Sequence, residues 1–310
     1  MSIFFYCPWS NKKDWFKKIQ STFKKTKVFS IEDNPNLEKI KCAIVWELPN
    51  HILDKMKNVK IFFSMGAGVD HILNLKSYKG QPIIRLKDII MAERMSNHVL
   101  SQILYFQLNL PFYKETQKKK IWPDDIEPNL NTSMTVGILG FGYLGSFVGE
   151  TLKKLNYNVI GFKNSKPTSK HLFPVYYLKK DLKKFITSSD VIVSILPSTP
   201  NTKYFINKIF LNLMKKNALL ISVGRGSILN EKDLILHIKK NKNFYASLDV
   251  FEKEPLIKSS PLWHMKNVII TPHVASLTGV DSAVNYMYKK YNEFNKKGYL
   301  KSDVNNKKGY

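Results

Sequence analysis

Short apolar runs separated by amphipathic stretches recur along this chain, and their spacing predicts its architecture. Ser2–Cys7, Lys27–Ile31, Cys42–Trp46, Lys60–Met65 and Pro82–Leu86 read as strands, short and apolar enough for burial on both faces. Helical periodicity falls between them at Trp15–Lys25 and around His51–Met56. Such alternation predicts a parallel sheet covered on both sides and complete by about residue 90. Met91–Lys118 then reads as one long helical connector, and Trp122–Thr132 as a polar, proline-bearing loop.

The alternation resumes beyond the loop. Strands are expected around Val136–Leu139, at Asn158–Phe162, Asp190–Leu196, Ala218–Val223, Tyr245–Val250 and Val268–Thr271. Helices are expected at Tyr143–Leu155, Leu178–Thr187, Ile206–Met214 and Glu231–Lys240, the last capped by Asn230. A closing helix over about Gly279–Lys297 should return to the first domain. The fold class is therefore α/β, with two doubly wound parallel-sheet domains.

Chemistry enters at the first of those later strands. Gly140, Gly142 and Gly145 follow it at G-x-G-x-x-G spacing, with Tyr143 and Leu144 opening a helix. The first glycine permits a tight turn, the second lets a pyrophosphate approach the backbone, and the third lets helix and strand pack closely. The helix N-terminus faces the phosphate charge. This is the arrangement of a dinucleotide-binding domain. The next strand end carries Lys163, Asn164, Ser165 and Lys166, with no acid to hold a ribose 2′-hydroxyl. Two cations and a hydroxyl there favour NADP(H), with NAD(H) still possible.

Other strand ends carry candidate chemistry. Arg225 stands between Gly224 and Gly226, placed to fork onto a substrate carboxylate. His273 follows a proline at the last strand end, and Glu254 comes from another strand-end loop. A carboxylate beside an imidazole favours its protonated form, which suits a proton donor at neutral pH. The turn Ser64–Asp70 (SMGAGVD) could hold a carboxylate through the N–H groups of Ala67, Gly68 and Val69, and Trp46 could wall a pocket.

Composition narrows the class. The formal charge is +25, yet the cations are spread along the chain and are nearly all lysine, which argues against a nucleic-acid groove. Against that background the three arginines, Arg85, Arg94 and Arg225, mark places where a planar fork matters. Cys7 and Cys42 are the only cysteines, so a reducing compartment is expected. With no apolar stretch of membrane-spanning length and no signal-peptide pattern, a cytoplasmic protein without a membrane partner follows. No metal-ligand spacing is evident.

The motifs CAIVW, SMGAGVDHIL, TVGILGFGYLGS, LPSTPNT, VGRGSIL, LDVFEKEPL, SPLW and ITPHVA together resemble the D-2-hydroxyacid dehydrogenases, in particular their glyoxylate- and hydroxypyruvate-reducing branch. The resemblance runs over essentially the whole chain. It implies a Rossmann NAD(P)-binding domain at 99–275 and a flavodoxin-like substrate domain formed by 1–98 plus 276–310. It implies Arg225 as carboxylate anchor, His273 as general acid and Glu254 as its orienting partner. Gly142, Tyr143 and Leu144 would meet the pyrophosphate, and Lys163 to Lys166 the adenosine end. Leu196, Pro197, Val223 and Asp249 would lie along the cofactor, and Trp46, Ala67, Gly68 and Arg225 around a small 2-oxo acid. A homodimer through the nucleotide domain and the connecting helix is also implied. The chain departs from the family's usual pattern with Asn97 and His98 on the connector and Gly279 after the final motif. A different dehydrogenase of this superfamily and a non-catalytic NAD(P)-sensing corepressor are the alternatives. The full set of Arg225, Glu254 and His273 favours an enzyme.

Overall fold

The computed structural model describes residues 2–124, 126–167, 171–306 and 308–310. The chain forms two compact units, Met1–Met91 with Thr278–Tyr310, and Ala92–Leu277.

The first unit contains β1 (Ser2–Tyr6), α1 (Lys12–Thr22), β2 (Lys27–Phe29), β3 (Cys42–Val45), α2 (Asn50–Leu53), β4 (Ile61–Ser64), α3 (Asp70–Leu73) and β5 (Ile83–Ile84). All pairings are parallel and the order is β2-β1-β3-β4-β5, the flavodoxin-type 2-1-3-4-5 arrangement. Because β3 and β4 are buried along their whole length, both accept apolar residues at every position except Ser64. Phe4, Ala43, Val45, Phe62, Ile72 and Val304 share one core.

α4 (Ile89–Gln107) and α5 (Leu110–Lys118) replace the single connector expected from the sequence. Pro111 explains the break. It has no N–H for the carbonyl four residues back, and its ring would collide with that residue, Gln107, where α4 stops. Asn109 makes the corner with a left-handed backbone, φ 55°.

The second unit continues with β6 (Thr135–Leu139), α6 (Tyr143–Lys154), β7 (Asn158–Phe162), β8 (Val175–Tyr176), α7 (Leu182–Ser188), β9 (Val191–Ser194), α8 (Lys208–Leu213), β10 (Leu219–Ser222), α9 (Glu231–Lys240), β11 (Tyr245–Leu248) and β12 (Val268–Ile270). Its parallel sheet runs β12-β11-β10-β9-β6-β7-β8, a 3-2-1-4-5-6 Rossmann order extended by one strand. The order reverses between β6 and β9, where such sheets bind ligands beyond their carboxyl ends. One face packs α4 and α6 through Val99, Ile103, Val148 and Leu152. The opposite face packs α7, α8 and α9 through Phe185, Phe210, Leu234 and Ile238. Asn230 caps α9 by accepting the Asp233 N–H. β8, only two residues long, is too short for a periodic signal, and α7 begins later than its sequence suggests because residues 179–181 form a 3₁₀ turn.

α10 (Val280–Lys297) belongs to the first unit. Its Tyr288 and Tyr291 pack on Phe23 at 5.0 and 5.3 Å between ring centres, and Asp281 pairs with Lys18 at 2.5 Å. Among the described residues no helix is long and apolar enough to cross a membrane.

Candidate active site

The glycine loop after β6 is built by backbone approaches that side chains would block. Gly140 has φ +103°, and a Cβ there would sit 2.7 Å from the Ile195 carbonyl. At Gly145 a Cβ would lie 2.1 Å from Gly140 O, so only glycine lets α6 start this close to β6. Gly142 is different: a Cβ would meet nothing within 4 Å. That open approach, at the N-cap of a twelve-residue helix whose first N–H groups have no intrahelical acceptor, fits a dinucleotide pyrophosphate. At the end of β7, Lys163 and Ser165 are half-buried and Asn164 and Lys166 exposed, with no acid among them. Residues 168–170, which continue this loop, lie outside the described residues.

Three further loops at the carboxyl ends of the same sheet bring Arg225, Glu254 and His273 together. Gly224 lies against Leu196, where a Cβ would come within 2.7 Å of the carbonyl oxygen. Gly226 lies against the next loop still more tightly, 1.9 Å from the Phe251 carbonyl carbon and oxygen. Gly226 thus sets the Arg225 turn directly on the loop that carries Glu254, while Gly224 sets it against the Leu196 loop. Arg225 is half-buried and donates from one guanidinium nitrogen to Gly224 O at 3.0 Å. Glu254 Oε1 accepts the Phe251 N–H at 3.0 Å, and Oε2 lies 2.7 Å from His273 Nδ1. Burial pushes the Glu254 carboxyl up, but the hydrogen bonds from His273 and Phe251, with the charges of His273 and Arg225, outweigh it and leave its pKa below the ordinary range.

His273 sits in the left-handed region, φ 54°, uncommon outside glycine. Asp249 holds it there. The Asp249 carbonyl accepts the His273 N–H at 2.8 Å. Its buried carboxylate accepts from Thr271 Oγ1 at 2.6 Å, Val274 N at 2.8 Å and Ala275 N at 2.9 Å. The structure therefore surrounds the Asp249 carboxylate with the histidine loop. Thr271, two residues before His273, was not singled out from sequence, although a hydroxyl beside the T-P-H step was the available signal. Leu196 and Pro197 are half-buried at the end of β9, and Thr202 braces their loop by donating to Pro197 O at 2.7 Å. The Val223 side chain is only 3% exposed and packs in the core. Arg94 donates to the Leu277 carbonyl at 2.6 Å. In the first unit, Trp46 and the half-buried Ala67 and Gly68 follow β3 and β4. Among the described residues no cluster of His, Cys, Asp or Glu could hold a metal ion.

A family model for the D-isomer specific 2-hydroxyacid dehydrogenase NAD binding domain matches residues 100–275. The glyoxylate/hydroxypyruvate reductase A of Escherichia fergusonii is 31% identical over the full length of both chains. This chain belongs to the D-2-hydroxyacid dehydrogenase family. It is closely related to the family's glyoxylate/hydroxypyruvate reductase A members. Two solved structures resemble the dehydrogenase throughout. A D-isomer specific 2-hydroxyacid dehydrogenase from Xanthobacter autotrophicus, in complex with NADPH and MES, is 28% identical with a TM-score of 0.92, covering 100% of this chain and 99% of that one. An NADPH-dependent glyoxylate/hydroxypyruvate reductase from Sinorhizobium meliloti, in complex with NADP and sulfate, is 28% identical with a TM-score of 0.90 and the same coverage.

Proposed function

We propose that this dehydrogenase reduces small 2-oxo acids, glyoxylate and hydroxypyruvate among them, with NADPH preferred over NADH. The observation that carries the reading is the 2.7 Å contact between His273 Nδ1 and Glu254 Oε2, beside a turn that presents Arg225. The Glu254 carboxylate accepts a hydrogen bond from Nδ1–H, and in the doubly protonated ring Nε2–H is the donor for chemistry. His273 then gives its Nε2 proton to the carbonyl oxygen as the 2-oxo acid becomes a hydroxy acid. Glu254 keeps the ring oriented through the Nδ1 contact. Arg225 binds the substrate carboxylate through its planar fork and draws charge from the neighbouring carbonyl. Trp46, Ala67 and Gly68 would also contact the substrate.

The reduced nicotinamide, when bound, supplies the hydride. Gly140, Gly142, Tyr143, Leu144 and Gly145 would hold its pyrophosphate, and Leu196, Pro197, Val223 and Asp249 would flank the ring. Lys163, Asn164, Ser165 and Lys166 would surround the 2′-phosphate. Both cysteines are free and buried, which fits a reducing cytoplasm. A homodimer is supported by the exposed apolar residues Leu110, Phe112, Ile121, Trp122 and Leu130, with Trp122 98% exposed.

The test is NADPH and NADH oxidation with each 2-oxo acid. His273→Ala is expected to lose about 10²–10⁴-fold in turnover. Near wild-type turnover would remove His273 as proton donor. Lys163→Ala should weaken NADPH far more than NADH. Equal effects would place 2′-phosphate recognition elsewhere.

A further inference from the structure

The turn that follows β4 is held by a chain of hydrogen bonds running through one imidazole. His71, on the four-residue α3, accepts the Glu47 N–H at Nδ1 over 3.1 Å. A nitrogen that accepts carries no proton of its own, so the neutral ring holds its proton on Nε2. Nε2 lies 3.1 Å from Ser64 Oγ and donates to it. The Ser64 hydroxyl passes its own proton to the Gly68 carbonyl at 2.7 Å. Ser64 has no exposure to solvent, so these partners are not replaced by bulk water. Glu47 itself is in the left-handed region, φ 49°, and its bond to His71 anchors that corner.

The same ring also packs. His71 lies 4.3 Å from Trp46 between ring centres, and Trp46 covers Gly66 so closely that a Cβ there would be 2.6 Å from Cζ3. Trp9, at the end of β1, extends the aromatic wall at 5.5 Å from Trp46. The ends of β1, β3 and β4 are thus tied together at the point where this sheet's strand order reverses, where doubly wound sheets take ligands. A phenylalanine at position 71 would fill the space against Trp46 but would remove the acceptor of the exposed Glu47 N–H and one hydrogen bond of the buried Ser64 hydroxyl, which keeps only Gly68 O and the longer contact from Gly66 N–H.

We infer that His71 is a positioning residue, locked as the Nε2–H tautomer. Through Ser64 it sets the Ser64–Val69 turn, and through Trp46 the adjoining wall, so that the turn holds the carboxylate of a 2-oxo acid in one orientation. This rests on the reductase reading and adds the group that makes the turn rigid.

Steady-state kinetics on the full chain test it. His71→Phe should raise the KM for glyoxylate about tenfold, the size of a hydrogen bond lost at the buried Ser64 hydroxyl, with kcat and the KM for NADPH within about twofold. His71→Gln, whose amide has both an acceptor and a donor, should recover part of that loss. An unchanged glyoxylate KM in His71→Phe, or an equal loss in every parameter, would overturn the proposal. Should His71→Phe fail to fold, Ser64→Ala removes the hydroxyl alone and must show the same split. Imidazole nitrogen NMR on the substrate-free protein should report the Nε2–H tautomer. The Nδ1–H tautomer would overturn the proposal whether or not the enzyme turns over. Absence of turnover with every 2-oxo acid would instead sink the reductase reading.

Discussion

Two glycine-bearing turns end strands on either side of β9, and they use glycine for opposite reasons. In the Gly224–Gly226 turn both missing side chains make room for the protein's own backbone, at Leu196 and at Phe251. In the Gly140–Gly145 turn the outer glycines do likewise, but Gly142 makes room for nothing in the chain. A glycine packed on backbone is an internal requirement of the fold. One facing open space at a phosphate-binding loop is a requirement of what the loop receives. The first turn, accordingly, builds a rigid shelf for Arg225 and Glu254, and the second an approach for the cofactor.

The sharpest break in that comparison is Gly226→Ala. The new methyl would displace the backbone beneath Glu254, and overpacking of this kind destabilises by about 1–3 kcal/mol. Denaturant unfolding should show that loss, and turnover should fall with it. Gly142→Ala should leave folding within about 0.5 kcal/mol of wild type, while fluorescence titration shows weakened NADPH binding. Unchanged NADPH binding would end the contrast between the two turns.

Smaller effects follow from the titrating groups near the shelf. The Glu254 pKa lies below its unfolded value, so its ionised form contributes stability above about pH 4.3. That contribution is lost as pH falls through the folded value. Thermal unfolding of Glu254→Gln should therefore lose less than wild type below about pH 4.3. His98, on α4, has its pKa pushed down by burial against the pull of Asp249, and its Nε2 is buried without a hydrogen-bond partner. A depressed imidazole contributes stability above its unfolded value of about 6.5 and loses it as pH falls through the folded one. His98→Leu should flatten that acid-side decline in unfolding temperature, the smallest shift of the set.

Much of the fold was legible because buried parallel strands leave unbroken apolar runs. CAIV and VIVS are buried at every position in the structure. The reading failed where one residue overrode the pattern, as Pro111 did within an otherwise helical stretch, or where an element was too short to repeat, as in β8. Residue types at strand ends made Arg225, Glu254 and His273 candidates, but their spacing in the chain carries no distance. The resemblance places Asp249 along the cofactor, and the structure adds what no spacing could show, that its carboxylate is the hub of the His273 loop. The roles of Thr271 and His71 have no periodic trace in the sequence, because each rests on a hydrogen bond to a distant group, the Asp249 carboxylate and the Glu47 N–H.

The amino-acid sequence alone determined the parallel α/β character, the dinucleotide loop and the identity of the chemistry-bearing side chains. These follow from local preferences: apolar period, glycine geometry and the protonation chemistry of each residue type. Only the tertiary structure decided that Glu254 meets His273, that Gly226 seats one loop on another, and that His71 ties the ends of β3 and β4 together. Those are contacts between segments separated along the chain, and they exist only once the sheets bring the carboxyl ends of their strands side by side.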